Sequence, residues 1–184
     1  MLSGRILTPS GWITGTITFD QRIVQIQEDP AADSALTILP GFIDLHVHGA
    51  AGVDIMEGGN AGATVAQVHA RHGTTALLGT TLTAKEPSIL RALQGLAGVI
   101  AERPANGARM LGVHLEGPFL NLHRLGAQPP DVVQASLALV QRFHAIAPIK
   151  VLTMAPEIPG HLELIPQLAA MGIRVQIGHS AGTY

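Results

Sequence analysis

Leu39-Pro40-Gly41-Phe42-Ile43-Asp44-Leu45-His46-Val47-His48-Gly49 is the stretch that decides how the rest of the chain is read. Its apolar run has the character of a buried strand, and it closes on two imidazoles at alternate positions. Residues two apart on a strand share a face, so His46 and His48 can offer two neutral nitrogens to one divalent ion at the strand's open end. Gly49 then lets the chain turn away. Asp44 shares their parity one layer deeper, a place from which to orient a ligand rather than to shuttle a proton. A lone His-x-His pair is as often two core histidines satisfied by hydrogen bonds, so later segments have to decide between the two readings.

Downstream, strand and helix patterns alternate. Strands are expected around 39–47, 74–82, 109–116, 149–155 and 173–179, with helices at about 61–72, 86–103, 131–146 and 160–171. Gly73 after His72 suits a helix C-cap, and Pro87 and Pro159 suit helix entries. Such alternation predicts a parallel sheet with crossover helices. In these folds chemistry sits beyond the C-terminal strand ends, where His48, Glu116, Pro156-Glu157 and His179 fall. Residues 1–38 read instead as short strands with turns, for example 12–19 and 22–26 around Asp20-Gln21. Residues 30–34 read as a linker, and a domain boundary is expected at 38/39. The fold class expected is therefore α/β, with about five βα units of a (β/α)8 TIM-type barrel. Eight units and typically ~250 residues make a closed barrel. The final segment, Gly178-His179-Ser180-Ala181-Gly182-Thr183-Tyr184, stops where a barrel would begin its next helix, so the chain is expected to be cut short.

Composition narrows the function classes. With 184 residues and 47% hydrophobic content the chain can bury a core. A formal charge of -2 and 3% aromatic residues leave no basic, stacking face for nucleic acid. Cysteine is absent, which excludes disulfides and thiolate chemistry and fits a reducing compartment, so the cytoplasm is expected. The N-terminus lacks a signal-peptide pattern and no uncharged run is long enough to span a bilayer, so no membrane partner is expected. Charged residues make up 13%, about half the usual quarter, a hint of surface hidden against something else.

The third strand ends His114-Leu115-Glu116-Gly117-Pro118, which puts a carboxylate at the sheet edge before a forced turn. Two histidines and one carboxylate with an open position form a catalytic zinc pattern. His114 shares the face of Glu116 one layer deeper and reads as a satisfied core histidine. The fifth strand repeats the strand-Gly-His arrangement at Gly178-His179, making His179 a fourth candidate ligand at the same end of the sheet. His69, His72, His144 and His161 sit on or beside helices and read as surface or packing residues. His123, in the loop after the third strand, lies within reach of the site. Glu157 reads as a cap or supporting carboxylate and stays outside the ligand set. The Gly-rich stretch Gly49-Ala50-Ala51-Gly52 matches neither a P-loop nor a dinucleotide fingerprint.

The pieces LPGFIDLHVHG, HGTTALLGT, HLEGPFLN, APE and IGHS, in that order, resemble the N-acetylglucosamine-6-phosphate deacetylases of the amidohydrolase superfamily. The resemblance runs from about residue 4 to the end. It implies that Glu116 and His179 are metal ligands, and that His46 and His48 hold a second metal, giving one or two divalent ions, zinc or iron. It implies hydrolysis of an amino-sugar phosphate to glucosamine-6-phosphate and acetate, by a homodimer. It also implies that residues 1–38 are part of a small β-sandwich domain ahead of the barrel portion 39–184. Where the family shows a Lys-Gly-Ala-His-like segment touching the sugar, this chain has Leu125-Gly126-Ala127-Gln128, which makes Ala127 and Gln128 the candidate substrate contacts. The family's catalytic Asp falls in a part this chain does not include, so no catalytic residue is assigned and the 184-residue chain alone is expected to be inactive.

Two rivals remain. A cyclic amidase would share the His-x-His but bridge its metals with a carbamylated lysine at the end of the fourth strand, and the only lysines are Lys85 and Lys150, the latter at a strand start. A non-catalytic half-barrel acting with a partner chain, and folding only against it, would on its own expose apolar interior and a strand edge, and would be poorly soluble or oligomeric.

Overall fold

In the computed structural model, which describes residues 1–33 and 35–183, the chain divides between Gly41 and Phe42 into two units. Ser34 of the expected linker and the terminal Tyr184 lie outside the described residues.

In the first unit β1 (Leu2–Thr8) pairs antiparallel with β2 (Gly11–Phe19), in which Ile and Thr alternate at residues 13–14 and 16–18, and Ile6 lies opposite Ile13. Ile6 and Ile17 are buried. The tight turn between them is closed by Thr8 Oγ1, which donates to the Gly11 carbonyl at 2.8 Å. β3 (Ile23–Glu28) pairs antiparallel with β2, after a turn in which Asp20 Oδ1 accepts from the Arg22 amide at 3.0 Å. β4 (Thr37–Ile38) runs parallel to β1, giving the order β3-β2-β1-β4.

The second unit opens on β5 (Phe42–Val47), then the short antiparallel pair β6 (Gly49–Ala50) and β7 (Val53–Asp54), then a 3-10 turn, Ile55–Glu57. Asp54 and Glu57 cap that turn reciprocally. There follow α1 (Ala61–Ala70), β8 (Thr74–Thr81), α2 (Glu86–Ala101), β9 (Arg109–Glu116), α3 (Leu137–Ile146), β10 (Ile149–Met154), α4 (His161–Ala170) and β11 (Arg174–Ile177). The five longer strands pair in parallel in the order β5-β8-β9-β10-β11. Sequential order without reversal is the winding of a barrel, not of a doubly wound sheet. The five strands expected are present as a parallel half-barrel sheet, and among the described residues four of them, all but β11, are followed by a helix.

One expected helix is shorter. The apolar spacing predicts a helix from 131, yet α3 begins at Leu137 because Ser136 is its N-cap, its Oγ accepting from the Leu139 amide at 3.3 Å. Upstream, the Val133 amide bonds to the Pro118 carbonyl at 3.0 Å and the Ala135 amide to His161 Nε2 at 3.0 Å. Those backbone groups are taken by distant partners, so they cannot extend the helix. Pro159 lies just before Gly160, the N-cap of α4, while Pro87 occupies the first turn of α2.

The core packs Leu77, Val113, Leu115, Leu152 and Met154 of the sheet with Leu93, Leu96, Val140, Phe143 and Leu168 of the helices, all buried. Each such side chain contributes roughly 1.5–3 kcal/mol. Gly79 of β8 lets α2 lie close: a Cβ there would sit 2.5 Å from Leu96 Cδ2. The two edge strands differ from the interior, with Phe42 and Ile43 of β5 each 63% exposed and Ile177 of β11 71% exposed. Among the described residues no helix is long and apolar enough to cross a membrane.

Candidate metal centre

Three strands, β5, β9 and β11, bring the expected ligands together around one carboxylate. Glu116, the last residue of β9, is buried. His46 Nε2 and His48 Nε2 approach its Oε2 at 3.3 and 3.0 Å and lie 3.0 Å from each other. His179 Nε2 lies 3.2 Å from Oε1. A tetrahedral ion with ligand bonds of about 2.0–2.1 Å holds neighbouring ligand atoms roughly 3.3 Å apart. The triangle of His46, His48 and Glu116 has edges of that size, and its donor set of two imidazoles and one carboxylate fits a divalent transition-metal ion.

The rings are oriented from behind. His48 Nδ1 donates to the Thr80 carbonyl at 3.2 Å, and Thr80 Oγ1 accepts from the Val47 amide at 2.9 Å, so the end of β8 fixes both faces of the His-x-His segment. His179 Nδ1 donates to the Arg124 carbonyl at 3.0 Å. In each ring that bond occupies Nδ1 and aims Nε2 at Glu116, so Nε2, here a donor to the carboxylate, is the atom that would ligate an ion on losing its proton. His179 holds a left-handed backbone, φ 51°, secured by its carbonyl accepting from the Asn121 amide at 3.0 Å. Asp44 turns its carboxylate onto the His46 amide at 3.0 Å.

Charge is organised around Glu116. Burial raises its carboxyl pKa, but hydrogen bonds from His48 and His179 and the proximity of His46 outweigh that and hold it at about 2. The same Glu116 hydrogen bond raises His48 above the usual histidine value, against the effect of burial. His114 behaves oppositely: burial, then repulsion from His46, pushes it down to about 4. Its Nδ1 donates to the Leu45 carbonyl at 3.1 Å and its Nε2 accepts from Thr153 Oγ1 at 2.7 Å, which makes it a satisfied neutral histidine beneath the site.

The same concavity carries Leu82, Ala127 and Gln128. Ala127 is exposed at its rim, whereas Gln128 is buried and directs its amide at Glu116. His123 is exposed, its backbone amide bonded to Asn121 Oδ1 at 2.8 Å. Glu157 stands apart from the triangle, accepting from Asn121 Nδ2, Ser180 Oγ and the Ala181 amide at 2.8, 2.6 and 2.7 Å. It thereby anchors the segment that follows His179. Sequence reasoning passed over Thr80 and Thr153; the one signal was the polar run Thr80-Thr81-Leu82-Thr83 closing an apolar strand.

The sequence matches the amidohydrolase family over residues 37–166. It is similar to the N-acetylglucosamine-6-phosphate deacetylase of Lysinibacillus sphaericus, 35% identical over 176 residues that cover 90% of this chain and 45% of the relative. The N-acetylgalactosamine-6-phosphate deacetylase of Escherichia coli O157:H7 is 34% identical over 189 residues, 98% of this chain and 50% of the relative. Among solved structures, N-acetyl-D-glucosamine-6-phosphate deacetylase from Mycobacterium smegmatis superposes with a TM-score of 0.85 at 32% identity, over 98% of this chain and 53% of that one. The chain thus spans about half the length of the curated relatives it matches. With the family match extending from β4 into α4 and the half-barrel carrying the ligand set at its strand ends, the chain belongs to the amidohydrolase family.

Proposed function

We propose that the protein carrying this chain hydrolyses the acetamide of N-acetylglucosamine-6-phosphate, releasing glucosamine-6-phosphate and acetate in amino-sugar catabolism. The observation that carries the reading is the triangle of His46, His48 and Glu116, with edges of 3.0–3.3 Å and His179 on the second carboxylate oxygen, at the C-terminal end of a parallel sheet. These four residues would hold one or two divalent ions, zinc or iron. Bound there, such an ion supplies Lewis acidity: it lowers the pKa of a water and polarises an amide carbonyl. Glu116 offsets part of the ion's charge, and Thr80 and the Arg124 carbonyl hold the imidazoles in their donor orientation. Ala127, at the rim, and Gln128, beside it, would form the wall against the sugar. No residue of this chain is assigned the proton transfer from water to the leaving amine. A cytoplasmic homodimer is the setting we propose, in keeping with the cysteine-free composition.

A cyclic-amidase reading lacks its bridging lysine, since Lys150 lies at the start of β10, the end of the sheet remote from Glu116. The test is acetate release by the full-length protein, loaded with zinc or iron, from N-acetylglucosamine-6-phosphate, its galactosamine epimer and unphosphorylated N-acetylglucosamine. Turnover is expected with the phosphorylated glucosamine compound foremost. Acetate from none of the three, with turnover of dihydroorotate or hydantoin, would overturn the reading.

A further inference from the structure

Gln128 reaches the carboxylate at the centre of the site and engages it through an amide whose orientation is not free. Its Oε1 accepts from the Thr83 amide at 2.7 Å, and its Nε2 donates to Glu116 Oε2 at 2.7 Å. The Thr83 N–H can only donate and an ionised carboxylate can only accept, so a flipped amide would lose both bonds. All three groups are buried: Thr83 is 0%, Glu116 6% and Gln128 7% exposed. The bridge therefore ties the segment after β8 to the end of β9 in a place where water cannot substitute for it.

We propose that Gln128 is a positioning residue that sets the rotation of the Glu116 carboxylate for metal binding. The inference rests on the metal-site reading above. Oε1 is turned to His179, and Oε2 carries both the Gln128 bond and the corner shared with His46 and His48. An ionised carboxylate oxygen has about two lone-pair directions. With Gln128 holding one, the other is aimed between the two imidazoles. A neutral amide does this without neutralising the carboxylate, which a cation at the same position would do. The loop is built to deliver it: the Gln128 amide bonds to the Leu125 carbonyl at 3.0 Å in a turn through Gly126, φ 59°. Outer partners of metal ligands typically control 10–100-fold in affinity.

The experiment uses the full-length protein, stripped of metal and titrated with Co2+ against a competing chelator, with the visible spectrum recorded. Gln128→Met keeps the length of the side chain and removes both hydrogen bonds; Glu116→Gln is the control for the site itself. The expected result is a loss of affinity of about 10–100-fold and an altered cobalt spectrum for Gln128→Met, with a larger loss for Glu116→Gln. Wild-type affinity and spectrum for Gln128→Met, beside lost binding for Glu116→Gln, would overturn the positioning role and leave the metal site standing. Undiminished binding by Glu116→Gln would overturn both. Should Gln128→Met fail to fold, the wild type answers with glutamine-selective 15N labelling: the Gln128 side-chain amide protons should exchange slowly and shift when zinc is added. Solvent-rate exchange with no shift would overturn the proposal.

Discussion

Gly117→Ala tests how closely the chain after Glu116 must pass the end of β8. Gly117 has φ 80°, and an added Cβ would fall on Thr83 Oγ1, with Thr83 Cβ and Cα only 3.1 and 3.2 Å away. Two costs separate. Holding an L-residue in the left-handed region costs about 1–2 kcal/mol, and overpacking a buried contact costs about 1–3 kcal/mol, so Gly117→Ala should destabilise by about 2–5 kcal/mol. Thr83→Ala isolates the second cost. Thr83 Oγ1 is buried with no hydrogen-bond partner among the described residues. Removing it relieves an orphan worth about 1–3 kcal/mol against about 0.8 kcal/mol for the lost methyl; alone it should fall between neutral and about 2 kcal/mol stabilising. In the double variant the backbone cost stays while the overlap is largely relieved, which gives a coupling of about 1–3 kcal/mol in urea unfolding of the metal-free protein. Additivity within about 0.5 kcal/mol, or a Gly117→Ala cost below about 1 kcal/mol, would refute the close-approach argument.

Other expectations follow from the same geometry. Burial lowers the His161 pKa, and its Nδ1 and Nε2 engage the Ala155 carbonyl and the Ala135 amide at 2.9 and 3.0 Å. The unfolded chain then binds the extra proton first, so stability is complete above about pH 6.5 and falls as pH drops below it. His161→Gln should flatten that dependence in denaturation at pH 7.5 and 5.5, and parallel curves for the two proteins would count against it. Removing a metal held at 100 times its Kd should cost about 2.7 kcal/mol of stability, a chelator effect that His46→Ala should abolish; an equal effect in that variant would place the ion elsewhere. Glu157→Ala should release the segment 180–182 that its carboxylate holds and lower stability by about 1 kcal/mol, the exposure of Glu157 discounting its three bonds. Limited proteolysis after residue 178 reports it, and an unchanged cleavage rate would contradict the anchoring role.

Much of the sheet was legible because its signals are local. Alternation placed His46 and His48 on one face, and an acid closing an apolar strand before Gly117-Pro118 placed Glu116 at its edge. The strand-Gly-His pattern brought His179 to the same end. What escaped depends on partners distant in sequence. The backbone around 131–135 shows helical apolar spacing but is drawn off by Pro118 and His161. His161, at the start of a helix, looks like an ordinary polar residue until Ala135 and Ala155 enclose it. Gln128 meets Thr83 across 45 residues, and no spacing rule links them.

The proposed ligands of the centre come from strands separated by a strand and by long crossovers, and this bears on the order in which the site can assemble. His46 and His48 are neighbours in any conformation, but Glu116 lies 70 residues beyond His46, and closing a loop of that length costs about 4 kcal/mol in chain entropy. Two imidazoles alone can capture an ion weakly while the chain is still open. In the folded sheet β8 lies between β5 and β9, so Glu116 meets the two imidazoles only where all three strands have come together. An ion present early in refolding would therefore stabilise the open chain at its His-x-His, and one added late would lock a sheet already formed, so the timing of metal addition is itself a handle on the folding route.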